Sequence, residues 1–492
     1  MSPSCDLLVI GGGINGVGIA RDAAGRGLSV TLVERGDLEG ATSSSSSNLI
    51  HGGLRYLEQY EFRLVAEALA EREILLRIAG HLVWPARFVM PHVPELRPRW
   101  MIRIGLFLYD HLARRSLLPA SSAVRLDVTP YSSGLKAELR HGFLYSDCRV
   151  DDARLVVANA IDARLRGAEI LTRTECLSAS RQGNIWRARL SNRQEITARA
   201  IVNAAGPWVK QVLNKRLAQS SGDAVRLVRG SHIVLPRLYV GDHAFILQND
   251  DRRVVFMIPY GDEHTLVGTT DIPQDEVVDS PAAQVATSDF EVEYLCRAVN
   301  RYLAKPAQPR DVVWRYAGVR PLYDDGSSDP SSVTRDYTLR VDDESGAVPV
   351  LSVFGGKITT YRNLAEEAIA RLEPYFPALK PAWTGRSPLP GSDFGGVARV
   401  EARGAFFARH PRIPEDTLRA IFRRHGTNAD AVVGDGDLGE SYGAGLTERE
   451  LRYLVEHEWA QSAEDVLWRR TKAGLLMSDS QRKRVAEVLE RA

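Results

Sequence analysis

Asp6-Leu7-Leu8-Val9-Ile10-Gly11-Gly12-Gly13-Ile14-Asn15-Gly16 is the stretch that decides the fold. Leu7 to Ile10 is an apolar run of strand length, and it breaks into glycines at the first, third and sixth places of G-x-G-x-x-G. Gly11 permits the tight turn, Gly13 lets backbone approach a pyrophosphate, and Gly16 lets helix and strand pack closely. Helix-compatible sequence runs from Val17 to Arg26 and ends at Gly27. A pyrophosphate would then lie at a helix N-terminus, where free N–H groups and the positive dipole end favour an anion. A second strand, Ser29 to Val33, ends in Glu34, a carboxylate able to accept from an adenosine ribose, with Arg35 beside it. Alone the glycine pattern is weak evidence. Between strand and helix, with the acid at that distance, it predicts a bound dinucleotide.

The chain has 492 residues, too many for one ordinary core, so two or three domains are expected. With 44% hydrophobic and 25% charged residues it is not a largely disordered chain. A net charge of +1 gives no global basic field, which argues against nucleic-acid binding. Cys5, Cys148, Cys176 and Cys296 are far apart, form no zinc spacing and suit a reducing compartment. No metal site is expected. No secretory signal and no apolar run long enough to span a membrane is read, so a cytoplasmic protein is expected, free or lying on a membrane face.

After Glu34 a serine-rich segment, Thr42 to Ser47, leads into Asn48-Leu49-Ile50-His51-Gly52-Gly53-Leu54-Arg55-Tyr56. A flexible linker would have this composition too, but here it joins the adenosine-binding strand to residues dense in His, Gly, Arg and Tyr. Its hydroxyls are neutral donors suited to phosphate and ribityl oxygens. A helix is predicted from Glu61 to Ala79, then Pro85, Pro91, Pro94 and Pro98 break the pattern. Residues 97–115 have an apolar centre with Trp100 and Tyr109 and arginines at both ends. That composition fits a membrane-surface helix and also a core helix with solvated ends. A helix is expected from Asp151 to Arg166, and Ala200 to Trp208 reads as a buried strand ending in Gly-Pro, a return to the first sheet. Strand signals dominate 225–345, and Val350 to Arg362 repeats the strand–glycine–helix logic around Gly355-Gly356-Lys357, with a helix beginning near Thr359.

The expected organisation is therefore a Rossmann-like α/β domain built from 1–80, 141–224 and 346–380, interrupted by a helical cap at 81–140. A β-rich substrate domain occupies 225–345, a Pro/Gly/Ser linker 381–396, and an accessory helical domain 397–492. That last part carries capping-box spacings at Thr447/Glu450 and Ser478/Gln481 and no catalytic constellation.

A dinucleotide site split among 11–16, 203–208 and 354–362 suits FAD better than NAD, whose site usually completes within one continuous unit. The expected FAD contacts are Gly11, Gly13, Ile14, Asn15, Gly16, Glu34 and Arg35, then Thr42, Ser43, Ser44, Ser47, Leu49 and His51. Ala205, Gly206, Gly356, Lys357 and Thr359 complete the set. Arg55, Arg320 and Arg335 sit in loop-like contexts, and forked guanidinium donors are what bidentate binding of a phosphate or carboxylate needs. Any one of them could equally be a surface ion pair.

The motifs His51 to Tyr56, Tyr145 to Arg154, Gly206 to Lys210, Gly230-Ser231-His232, Gly268 to Asp271, Gly318 to Pro321 and Phe354 to Lys357 closely resemble the bacterial aerobic, FAD-dependent glycerol-3-phosphate dehydrogenases. The match runs in order through residue 362 and is looser beyond. The resemblance implies a D-amino-acid-oxidase-like architecture and oxidation of sn-glycerol 3-phosphate to dihydroxyacetone phosphate. It also implies electrons passed to a quinone at the cytoplasmic face of the inner membrane, and a homodimer is expected. An oxygen-using glycerol-3-phosphate oxidase and a flavin-bearing scaffold without turnover are the rival readings. One departure is Asn48, which stands where the family pattern carries a lysine; that lysine's contribution is then absent or supplied elsewhere, with Lys357 as one source. On this reading Arg55 and Arg320 hold the phosphate, with Tyr56, Thr270 and Arg335 assisting. His51 takes the C2 hydroxyl proton, His232 is the alternative base, Arg320 also acts in catalysis, and Lys357 stabilises negative charge on the reduced flavin.

Overall fold

In the computed structural model, residues 4–93, 98–115, 117–219, 222–223, 225–251, 253–275, 285–324 and 336–491 are described. The opening stretch forms a strand, Cys5–Ile10, and a helix, Ile14–Gly25, joined by the glycine turn. The strand is central in an eight-stranded sheet whose parallel part runs Glu169–Leu171, Val30–Val33, Cys5–Ile10, Glu195–Asn203, Ala347–Phe354. In-register pairs Ile10–Val33, Ile10–Asn203 and Asn203–Ser352 bring the carboxyl ends of four strands to one level. The two-residue side-chain period of a strand then sorts the apolar run. Leu7 and Val9 pack with the helices Ile14–Gly25, Asp152–Leu165 and Tyr361–Leu372, whereas Leu8 and Ile10 pack with Trp186, Val209 and Leu213 on the other face. Leu7, Leu8 and Val9 are fully buried, each worth roughly 1.5–3 kcal/mol of transfer free energy. The expected helices at 61–79 and 151–166 are present as Phe62–Ile78 and Asp152–Leu165, the latter capped by the Asp151 carboxylate.

The second sheet is wider than the expected substrate domain. Its ten strands include Leu49–Ile50, Val83–Pro91, Ser122–Arg125 and His141–Val150 as well as those between Val225 and Tyr323. The segment 81–140 thus supplies two strands to this sheet besides its one helix, and 141–150 leaves the first sheet for the second. Conversely Thr338–Glu344 pairs antiparallel with Ala347–Phe354 and belongs to the dinucleotide sheet. Pro85 and Pro91 lie inside a strand that the sequence reading broke. Pro85 pairs with Cys148 on one side, and on the other Ala244–Gln248 pairs only at Phe88 and Val89, so the strand is open beside Pro85 as an edge is.

The helix over the 97–115 stretch is Arg99–His111; Arg97 lies outside the described residues. It buries Ile102, Leu106 and Tyr109 but exposes Trp100, Met101, Ile104 and Phe107, so it is not a core helix with solvated ends. The 381–396 segment is packed rather than loose: Trp383 donates to the Asp22 carbonyl at 3.2 Å, with Arg166 stacked 3.7 Å over its ring, and Leu389 is buried. Beyond it the described residues form five α-helices and a short hairpin, among them Arg399–Arg409, Glu415–His425 and Glu448–Glu458, with a π-helix at Asp465–Arg470.

Buried ion pairs hold the C-terminal part together and join it to the rest. Within it Arg424 and His425 bond Glu450 at 2.6 and 2.8 Å, and across the boundary Arg154 of the helix Asp152–Leu165 reaches Glu458 at 2.9 Å. Burial raises the Glu450 carboxyl, but Arg424 and His425 outweigh it and hold it down to about 2; Arg154 and His425 likewise hold Glu458 well below the carboxylate range. Carboxyls with lowered folded-state pKa stabilise fully above their unfolded value, near 4.5, and lose that contribution as pH falls through the folded value. The melting temperature should therefore fall steeply between about pH 4.5 and 2. Glu458→Gln should flatten part of that slope in melts followed by tryptophan fluorescence.

Candidate active site

Above the strand ends lies a cavity of about 1070 Å³ that runs from the glycine turn, past the serine loop, to the second sheet. At one end Gly11, Gly13 and Ile14 line it with the start of the first helix. The Ile14 N–H donates to Ser43 Oγ at 3.0 Å, and Glu34 accepts from the N–H groups of Gly12 and Gly36 at 2.6 and 2.8 Å. Burial raises the Glu34 carboxyl, opposed by those two N–H groups. Arg35 stacks 4.2 Å over Trp208 on the opposite wall. Thr42 Oγ1 donates to the Val319 carbonyl at 2.6 Å, which pins the serine loop to the second sheet, and Ser44 Oγ donates to the Glu39 carbonyl at 2.8 Å within the loop.

At the other end the second sheet presents a polar group. His232 bonds Ser47 Oγ through Nε2 at 2.8 Å, and its ring stacks on Tyr316 at 4.9 Å between centroids. Burial and the positive Arg320 push the imidazole down to about 3, so His232 is neutral. Arg320 donates to the Thr270 carbonyl at 2.7 Å and pairs with Asp271 at 2.9 Å. Lys357 lies 4.2 Å over the Tyr56 ring, and the His51 N–H donates to Thr359 Oγ1 at 3.3 Å. Arg55 lines the same end with no ion-pair partner among the described residues.

Residues 6–362 match the model of the FAD-dependent oxidoreductase family, and residues 382–492 that of the C-terminal domain of alpha-glycerophosphate oxidase. The chain is 54% identical to a glycerol-3-phosphate dehydrogenase of Pseudomonas aeruginosa, covering 99% of this chain and 95% of that protein. It is 50% identical to the aerobic glycerol-3-phosphate dehydrogenase of Escherichia coli, over 98% and 97%. It is also 46% identical to a D-erythritol 1-phosphate dehydrogenase of Brucella abortus, over 99% and 98%. The glycerol-3-phosphate dehydrogenase of Bacillus halodurans, solved with FAD, superposes with a TM-score of 0.71 at 26% identity, covering 99% of this chain and 94% of that one. The chain belongs to the FAD-dependent oxidoreductases.

The residues of this flavoprotein fit that cofactor. A Cβ on Gly11 would stand 2.5 Å from the Ala204 carbonyl oxygen and one on Gly16 1.9 Å from that of Gly11, so the pyrophosphate turn admits no side chain. Asn15 Oδ1 is buried near Gly355 with no hydrogen-bond partner among the described residues. Of the expected contacts, Gly11, Gly13, Ile14, Asn15, Glu34, Arg35, Thr42, Ser43, Ser44, Ser47, Leu49, His51, Ala205, Gly206, Gly356, Lys357 and Thr359 all line the cavity, as do Arg55, Tyr56, His232 and Arg320. Gly16 sits behind it as packing. Thr270 is a correction: its hydroxyl donates to Glu291 at 2.9 Å and accepts from the Ser231 N–H, so only its carbonyl serves the site, through Arg320. Arg335 lies outside the described residues. The sequence reading missed Tyr316, Trp314, Phe256 and Asp271, and also Trp468 and Asp465 from the C-terminal part. Asp271 was inside a quoted motif, but nothing local marks the others.

Gly230 pairs with Gly318, two residues from Arg320, and a Cβ on it would stand 2.3 Å from Arg320 Nη2. Gly230→Ala should displace the guanidinium from its place between Thr270 and Asp271. We expect substrate KM to rise about tenfold or more while the flavin stays bound, read from steady-state kinetics and the flavin absorbance of purified protein; one charge-assisted bond is worth about 1.5–3 kcal/mol.

Proposed function

We propose that this chain oxidises sn-glycerol 3-phosphate to dihydroxyacetone phosphate and passes the electrons to a quinone. The observation that carries the reading is the polar cavity end, where two guanidiniums and two histidines meet the flavin-binding segments, in a chain about half identical over its whole length to glycerol-3-phosphate dehydrogenases. Bound FAD supplies the acceptor for the two electrons and hydrogen leaving C2. Arg55 and Arg320 hold the phosphate, assisted by Tyr56 and, in the proposal, Arg335, which fixes the donor carbon in one pose. Lys357 brings positive charge to the flavin end of the cavity, where negative charge develops on reduction.

The C2 hydroxyl proton goes to His51. His232 is the weaker base, because an imidazole held near 3 by burial and Arg320 gains little by taking a proton. His232 instead orients Ser47 through their bond. Glycerol 3-phosphate should bleach the flavin without oxygen, faster than D-erythritol 1-phosphate and far faster than glycerol. In stopped flow His51→Gln should slow that bleaching by about 10²–10⁴-fold and abolish the acidic limb of its pH profile. Preferential bleaching by the four-carbon substrate would reassign the substrate; a near wild-type rate with the limb intact would remove His51 as base.

The acceptor proposal draws on the helix Arg99–His111. Its exposed Trp100, Met101, Ile104 and Phe107 form an apolar strip beside exposed Arg99, Arg103 and Arg114, the pattern of a helix lying in an anionic membrane interface. Among the described residues no helix is long and apolar enough to cross a membrane. A quinone dissolved in the bilayer would be met from that surface, at the cytoplasmic face. We expect Ile104→Asp with Phe107→Asp to abolish co-sedimentation with anionic vesicles and to depress quinone reduction while reduction of a soluble dye persists. Oxygen outpacing quinone on vesicle-bound protein would instead identify an oxidase.

A further inference from the structure

Three basic residues of one C-terminal segment cross to the loop that wraps the flavin site, and they reach both of its ends. At the first end Arg470, fully buried, bonds both Asp37 oxygens at 2.7 and 2.8 Å and Glu39 at 3.1 Å, and Arg469 adds a bond to Asp37 at 2.8 Å. Glu39 in turn donates its N–H to the Gly12 carbonyl at 3.1 Å and accepts Ser44 Oγ, so this end is the floor of the dinucleotide turn. At the second end Lys472 Nζ lies 3.2 Å from Oδ1 of Asp152, a carboxylate with no exposed surface. The same Asp152 accepts the Asn48 amide at 2.9 Å on Oδ1 and the Ser46 hydroxyl at 2.7 Å on Oδ2. Between these anchors lie Thr42, Ser43, Ser44, Ser45 and Ser47, the residues that face the cavity.

The same segment sends Trp468 onto Trp314, with ring centroids 5.0 Å apart, and Trp314 meets Tyr316 at 4.8 Å. Tyr316 donates its hydroxyl to the Ser46 carbonyl at 2.8 Å and stacks on His232. Asp37 and Asp152 are buried carboxylates, and such charges are held only while a cation and hydrogen bonds satisfy them, whereas burial pushes the Glu39 carboxyl up to about 8. Ordinary domain docking needs ion pairs somewhere along the boundary; it does not need them on both ends of one functional loop.

We propose that the C-terminal domain is a flavin-retention clamp, in which Arg470 and Lys472 are positioning residues that hold the 37–48 loop closed over FAD. The inference rests on FAD as the cofactor and not on the identity of substrate or acceptor. Asp152 is the hinge of the device: it converts a lysine from the C-terminal domain into a fixed conformation of Ser46 and Asn48. Lys472→Met leaves that carboxylate buried beside a neutral side chain, and the loop end gives way.

The test measures how fast full-length holoenzyme releases FAD, followed by the rise in free-flavin fluorescence after dilution. Lys472→Met should release FAD at least tenfold faster than wild type, and Lys472→Arg within about threefold of it. Because the Asn48 side chain already reaches the same Asp152 oxygen, Asn48→Lys in the Lys472→Met background should bring release back toward wild type. That double variant is also the measurement to use if Lys472→Met does not fold. Glu458→Gln, which breaks the boundary ion pair with Arg154 and keeps the Glu458 carbonyl that accepts from Arg470, should leave release within about twofold. The proposal is overturned if Lys472→Met releases FAD at the wild-type rate, if Asn48→Lys restores nothing while Lys472→Arg does, or if Glu458→Gln speeds release as much as Lys472→Met.

Discussion

The structure depends on a place where no side chain fits. The end of the first strand, the start of the first helix and the end of strand Glu195–Asn203 converge so closely that a Cβ on Gly16 would stand 1.9 Å from the Gly11 oxygen. That contact sets the helix N-terminus directly above the strand ends, where its N–H groups can meet a pyrophosphate. The parallel register then carries Asn203 and the Phe354-Gly355-Gly356 corner to the same level, so three segments far apart in sequence share one crevice. The serine loop has nowhere to go except over that crevice. Every later feature of the site is hung on this geometry.

How much of this could be read from the chain divides by the range of the interaction involved. The helices at 62–78 and 152–165 are local patterns and lie within a residue of their expected limits, whereas the first helix starts at Ile14 rather than Val17, and the expected strand 200–208 is the later part of one strand, Glu195–Asn203, that ends before the Gly-Pro turn. The second sheet is not local. His141–Val150 takes Val83–Pro91, Leu49–Ile50 and Ser122–Arg125 as partners, and no spacing in the sequence announces such pairings. Prolines at 85 and 91 argued against a strand because the edge position that tolerates them is a tertiary fact. The candidate site followed the same division. Motif residues such as His51, Arg55 and Lys357 meet as expected, but Thr270 shows that a motif does not say which group of a residue is used. Its hydroxyl serves Glu291 and its carbonyl serves Arg320.

The two sheets set different conditions for the two histidines. His232 lies in a strand with both neighbours in place, Gly268 on one side and Tyr316 on the other, and pairing on both sides excludes water from its ring. Burial together with a nearby guanidinium keeps it neutral across the working range. His51 sits in the turn after Leu49–Ile50, a short edge strand, and is partly exposed. On the proposed mechanism, in which His232 orients a hydroxyl and His51 exchanges a proton, this difference in burial suits one residue type to both tasks.

The charges at the substrate end can be weighed in the same way. Arg55 and Arg320 bring two guanidinium forks to the cavity, and Asp271 pairs with Arg320. On the proposed assignment the two forks meet a phosphate monoester, which carries about −1.5 to −2 near pH 7. Without Asp271 the wall would be overcharged when empty, and Arg320 would lack the fixed carboxylate that sets its plane. The match favours any phosphorylated polyol over glycerol. It does not separate a three-carbon from a four-carbon chain, because the charge is the same. That discrimination falls to shape, on the neutral surfaces lining the cavity, such as Phe256, Tyr56 and Tyr316, where an added carbon must find volume rather than charge.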